Sequence, residues 1–150
     1  MARRKGPRIF LDSSVVFAAV LSPTGGARKL FLLAEAGVLC LVVSPDILRE
    51  CEDVARRKSP SSLPLLAQLL ASCAVETSPA PTRRQIERAK RHIRYLPDAH
   101  VLAGAFGAEP DWLITHDKEH FLRIRAESGL PFRIGTPGDL IRILKDELGS

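Results

Sequence analysis

The chain has 150 residues, 45% of them hydrophobic and 26% charged, which suits one soluble domain with a real core and excludes a disordered or fibrous protein. No apolar run approaches the roughly 20 residues needed to cross a bilayer, and the basic start Met1-Ala-Arg-Arg-Lys5 leads into a short strand-like run, not a signal-peptide core; a cytoplasmic protein without a membrane is expected. The net charge of +5 and pI near 9.5 suit a polyanionic partner but equally a plain solvated basic face.

Arg8 to Leu11 is a short β-rich run. A helix is expected from Ala27 to Ala36, stopping at Gly37, then an apolar strand from Val38 to Val43. Ser44-Pro45 combines a capping hydroxyl with proline at the first helical position, and the helix it opens carries Ile47, Leu48, Cys51, Val54 and Ala55 on one face. Lys58 to Pro64 is read as a loop, Leu65 to Ala71 as a short helix and Ala74 to Glu76 as a strand. Thr82 to Ile93 is a basic helix, Pro97-Asp98 opens another through Phe106, and Trp112 to Thr115 is a strand after Pro110. Pro131 to Ile134 is the last strand, and Thr136-Pro137 caps a final helix that buries Leu140, Ile141 and Leu144.

Strands alternating with helices imply a three-layer α/β/α fold with a mostly parallel central sheet, as a single domain over residues 8–148 behind a short basic tail at 1–7. Ligands of such folds bind beyond the carboxyl ends of the strands. Asp12 follows the first strand, Glu50 rides the helix after the second, Asp98 heads a helix and Asp117 follows Trp112 to Thr115, so these acids are expected on one edge. Carboxylates brought together cannot all stay ionised without a cation among them. Oxygen ligands with no His or Cys set favour Mg²⁺ or Mn²⁺ over zinc. Such ions polarise a phosphodiester and activate water, which is nuclease chemistry.

Each acid also has a plainer reading. Asp12 could be a polar strand end, Asp98 a helix N-cap and Asp117 a turn acid. Glu50 and Glu52 both flank the apolar face of their helix, so spacing does not choose between them. The three cysteines, Cys40, Cys51 and Cys73, sit among apolar neighbours without CxxC spacing and read as buried free thiols.

Four stretches carry a resemblance to a known family. They are Ile9-Phe-Leu-Asp12-Ser-Ser-Val-Val-Phe-Ala-Ala19, followed by Leu21-Ser-Pro-Thr-Gly-Gly26; Val43-Ser-Pro-Asp-Ile-Leu-Arg-Glu50; Pro97-Asp98-Ala-His-Val-Leu-Ala-Gly-Ala105; and Trp112-Leu-Ile-Thr115-His-Asp117-Lys-Glu-His-Phe121. Over nearly the whole chain this resembles the PIN-domain nucleases, including the toxin subunits of type II toxin–antitoxin pairs. The resemblance selects Glu50 over Glu52. It implies a PIN-like fold and an endoribonuclease dependent on Mg²⁺ or Mn²⁺, with Asp12, Glu50, Asp98 and Asp117 as the catalytic and metal-holding acids. Ser13 and Thr115 would be supporting hydroxyls. It also implies a homodimer and a small antitoxin partner. The family's first motif usually reads Asp-Thr-Asn, whereas Ser13-Ser14 follow Asp12 here, so the orienting amide is replaced by hydroxyls.

Arg84, Arg88 and Arg91 on the basic helix are candidates for tracking RNA phosphates past the acids' repulsion. His100, His116 and His120 stand near the acids in sequence but are kept outside the catalytic set, since surface or packing histidines are commoner. A haloacid-dehalogenase-type phosphotransferase would need a second Asp where Ser14 stands, and a response-regulator receiver would need paired acids and a late strand-end Lys. The remaining alternative is a PIN-like module that binds RNA or a protein partner with little catalysis.

Overall fold

In the computed structural model, residues 6–127 and 129–149 are described; the basic run Arg3-Arg4-Lys5 lies outside them. Five strands form one parallel sheet in the order β3-β2-β1-β4-β5. They are β1 (Arg8–Leu11), β2 (Cys40–Val43), β3 (Glu76–Thr77), β4 (Trp112–Ile114) and β5 (Arg133–Gly135). Seven α-helices connect and cover them: α1 (Ser13–Leu21), α2 (Gly26–Glu35), α3 (Pro45–Lys58), α4 (Leu63–Ser72), α5 (Arg83–Lys90), α6 (Leu96–Ala108) and α7 (Pro137–Gly149). The expected three-layer α/β/α architecture is therefore present, with a sheet that is wholly parallel. Helix α1 packs against α2, α3 and α4, and α2 against α7, while α5 packs against α6.

Strands β1 and β4 are buried along almost their whole length, as in a sheet covered on both faces. Their apolar side chains join Leu30, Phe31, Leu41, Ile47, Leu102, Phe121 and Leu140 in one core. Helix α6 comes unusually close to the sheet at Gly104, where a Cβ would lie 3.2 Å from Phe10 Cζ and 3.2 Å from Ser44 Cβ. This bare backbone lets the helix that carries Asp98 lie against β1. At the opposite end of β1, Arg8 donates a fork of bonds to Glu76 (2.8 and 3.1 Å) and a third to the Ala108 carbonyl (2.7 Å).

Several local expectations change. The stretch Ser13–Leu21 is helix α1; it is apolar on nearly every side, so it shows no helical period in the sequence. The expected loop from Lys58 to Pro64 is mostly helical, because α3 runs to Lys58, a 3₁₀ turn spans Pro60–Ser62, and α4 starts at Leu63 with Pro64 in its first turn, where proline's missing N–H costs nothing. Strand β2 starts at Cys40 and not Val38, because Gly37 (φ +81°) closes α2 and the Val38 N–H is taken by the Leu33 carbonyl. Likewise Ala74 (φ +50°) and Val75 close α4, which delays β3 to Glu76. Helix α5 ends at Lys90 in place of Ile93, and β5 begins at Arg133 in place of Pro131. Cys51 and Cys73 are buried thiols, but Cys40 is only half-buried. Burial pushes the Cys51 thiol up to about 12, so it is inert at neutral pH.

Candidate active site

Strand order reverses at the β1–β4 boundary: the chain leaves β1 toward β2 on one side and later returns to place β4 on the other. In open α/β sheets, ligands bind at such a switch point, beyond the carboxyl ends of the two strands. Leu11 pairs with Ile114 in the β1–β4 register, so the next residue of each strand, Asp12 and Thr115, emerges side by side. The Asp12 N–H donates to the Ile114 carbonyl at 3.0 Å and the Thr115 N–H to the Gly135 carbonyl at 3.0 Å, which ties both to the sheet.

Asp12 is only 7% exposed and is the N-cap of α1. Three donors hold its carboxylate: the Ser13 N–H on Oδ1 (2.8 Å), and the hydroxyls of Ser14 (3.0 Å) and Thr115 (2.8 Å) on Oδ2. Burial raises its pKa, the three donors work against that rise, and the charge of Asp117 adds to it. Ser13 thus contributes its backbone, and Ser14 supplies the hydroxyl. Ser14 Oγ also accepts from the His116 N–H (3.1 Å), so the departure from the Asp-Thr-Asn pattern is occupied by an engaged side chain.

Thr115 is fully buried and faces two acids. While its hydroxyl donates to Asp12, the same oxygen accepts the Asp117 N–H at 2.9 Å. Asp117 folds back on its own turn: Oδ1 accepts the N–H groups of Glu119 and His120, each at 3.0 Å, and Oδ2 meets His120 Nδ1 at 3.1 Å. Burial would raise the Asp117 pKa, but the backbone and ring of His120 outweigh it and hold the carboxyl below its ordinary value.

Asp98 lies in the first turn of α6, whose N-cap is Tyr95, so Asp98 is not itself the cap. Its Oδ2 is buried and accepts no hydrogen bond. His120 Nδ1 stands 3.1 Å from this oxygen as well, but one ring N–H serves one acceptor at a time and its geometry favours Asp117. The Asp98 carboxyl is consequently pushed up to about 6, chiefly by burial, with the charges of Asp117, Asp12 and Glu50 adding to the rise and His120 opposing it. Glu50 is exposed on α3 and reaches the centre through its field on Asp98.

Asp98, Asp117 and His120 offer ligand atoms all within 4.8 Å of one another. Of the four expected acids, Asp98 and Asp117 fall in this compact set; Asp12, held by three donors, and the exposed Glu50 are not part of it. His120, kept outside the set by sequence reasoning, is in its centre. Its position three residues after Asp117, on the same turn, was the available signal. A buried carboxylate oxygen with no donor, beside a second carboxylate and an imidazole nitrogen, fits a divalent cation. The imidazole makes the donor set less purely oxygen than the sequence alone predicts.

Among the basic residues, Arg88 is committed to structure. Its guanidinium lies 4.1 Å from the Phe106 ring centroid and donates to the Gly129 carbonyl at 3.1 Å. Arg84 and Arg91 are exposed on α5 and just beyond it.

A parallel α/β domain with acids gathered at its switch point presents a centre that could hold a cation. The chain belongs to the PIN domain family, whose model matches residues 8–119. Its fold is similar to that of PAE2754 from Pyrobaculum aerophilum, with a TM-score of 0.61 at 15% identity over 92% of this chain and 90% of that one. It is also similar to a chain of DNA-bound VapBC from Salmonella typhimurium, with a TM-score of 0.62 at 17% identity over 87% and 98%. VapC20 of Mycobacterium tuberculosis, described as a toxin that cleaves the sarcin-ricin loop, gives a TM-score of 0.52 at 19% identity over 75% and 92%. At these identities the likeness is one of fold. No curated protein matches the sequence.

Proposed function

We propose that this PIN domain is a divalent-metal-dependent endoribonuclease, and the toxin of a toxin–antitoxin pair. The observation that carries the nuclease reading is the buried, donorless Asp98 Oδ2 beside Asp117 and His120. These residues would hold the ion, Mn²⁺ or Mg²⁺, with Asp12 and Glu50 contributing charge. A bound divalent ion supplies Lewis-acid polarisation of the phosphodiester and a lower pKa for the attacking water.

The chain's own residues do the positioning. Thr115 couples Asp12 to the Asp117 backbone, and Ser14 couples Asp12 to the His116 backbone, so hydrogen bonds tie the two strand ends together. Asp117 orients the His120 ring toward Asp98. Basic side chains near the acids bring in the RNA backbone against their repulsion.

The toxin reading draws on the family and on the fold shared with VapC20 and VapBC. It carries with it a cognate antitoxin, a homodimer and a cytoplasmic site of action. Among the described residues no single helix is long and apolar enough to cross a membrane.

The test is end-mapped cleavage of a mixed RNA pool in Mn²⁺, comparing wild type, an EDTA control and Asp98→Asn. Cuts that vanish with chelation and with the substitution support the nuclease. A folded wild type that binds Mn²⁺ but cuts no more than Asp98→Asn is a binding module instead.

A further inference from the structure

Beside the acidic centre, a cleft of about 400 Å³ opens between the end of α5 and the turn after β4. Arg91, Arg94, Tyr95, His120 and Arg123 line it, and it has no acidic lining residue of its own. The Tyr95 ring is stacked on His120, with centroids 5.5 Å apart and planes 17° from parallel, yet Tyr95 remains 56% exposed. The phenol is thus braced by a residue of the acidic set while more than half of the residue stays exposed. Arg91, Arg94 and Arg123 are exposed and make no side-chain ion pair among the described residues.

From this juxtaposition we infer that the cleft is a subsite for one unpaired nucleotide of single-stranded RNA, its base stacked on Tyr95 and its flanking phosphates met by Arg91, Arg94 and Arg123. The inference rests on reading the acidic centre as one that acts on RNA, and it adds the residues that would hold one nucleotide beside that centre. A base inside a duplex presents no free face, so an aromatic platform of this kind selects for unpaired strands. Cations alone would hold any polyanion. The braced ring in their midst is what matches a nucleotide, because it supplies a π-face where the arginines supply charge. His120 belongs to both the cleft and the acidic set, which puts the stacked nucleotide next to the bond presented to the acids.

The test is fluorescence anisotropy of a labelled, mixed-sequence single-stranded RNA and of its blunt duplex, on the full chain in EDTA, where metal-dependent cutting is blocked. The variants are Tyr95→Ala, Tyr95→Phe and a combined Arg91→Ala, Arg94→Ala, Arg123→Ala, each checked by thermal melting. We expect the single strand to bind more tightly than the duplex, Tyr95→Ala to lose roughly tenfold in affinity and Tyr95→Phe to keep it. The arginine variant should flatten the slope of log K against log salt by about 2, roughly 0.7 for each phosphate that is no longer neutralised. Single-strand affinity that is the same in wild type, Tyr95→Ala and the arginine variant overturns the subsite, whether or not the protein cuts RNA. If affinity depends on these residues but Mn²⁺ produces no cuts, the subsite stands and the nuclease reading fails.

Discussion

The Thr115 hydroxyl donates to Asp12 Oδ2 at 2.8 Å across 103 positions of sequence, and its oxygen accepts the Asp117 N–H at 2.9 Å. One buried hydroxyl therefore sets two acids. Thr115→Val keeps the shape and removes both bonds, leaving a buried carboxylate short of a donor, which costs about 2 kcal/mol. Urea unfolding should show that loss, and the Asp12 carboxyl should rise further in pKa because a donor that opposes burial is gone. Cleavage should fall more than tenfold, with Thr115→Ser retaining most of it; equal activity in Thr115→Val and wild type would remove the hydroxyl from the mechanism.

Asp98 should destabilise the metal-free protein. Its folded pKa of about 6 lies above its ordinary 3.8, so between those values the folded state binds the extra proton and stability falls as pH rises. Asp98→Asn removes that penalty, and at pH 7 in EDTA it should be more stable than wild type by about 1–2 kcal/mol after solvent screening is allowed for. Adding Mn²⁺ should raise the melting temperature of wild type and not of Asp98→Asn. A variant that melts below wild type in EDTA contradicts an uncompensated charge at this position.

His120 has the opposite sign. Its hydrogen bond to Asp117, with the charges of Asp98 and Asp117, raises its pKa above 6.5 despite some desolvation. The stability it contributes is fully present below pH 6.5 and is lost as pH rises through the folded value. A proton on Nδ1 competes with a cation for the same nitrogen, so Mn²⁺ affinity should increase with pH across that range. His120→Gln should bind Mn²⁺ more weakly and flatten this pH dependence, as followed by calorimetric titration; an unchanged profile would place the ion away from the ring.

Gly104 holds α6 against β1 and thereby positions Asp98. A Cβ there meets Phe10 and Ser44, each at 3.2 Å, so Gly104→Ala should cost roughly 1–3 kcal/mol through overpacking, and Gly104→Val more. The melting temperature should drop in that order, with Mn²⁺ affinity falling in parallel as the helix is pushed off the sheet. Alanine tolerated without loss would mean that α6 can shift freely.

The alternation of short apolar runs with capped helices was legible along the chain, because strands buried on both faces and Ser-Pro or Thr-Pro helix starts are local chemistry. Asp12, Asp98 and Asp117 were legible as acids placed after strands or at a helix head. Helix α1 was not, since a segment apolar on every side has no period to read. Nor was the place of His120 between Asp98 and Asp117, the engaged hydroxyl of Ser14, or the diversion of Arg88 onto Phe106 and Gly129. Local propensity and spacing by themselves determine which residues stand at strand ends and helix starts. Which of them touch is decided by the β1–β4 register and by the approach of α6 at Gly104, where segments about a hundred residues apart meet at distances that no local pattern encodes.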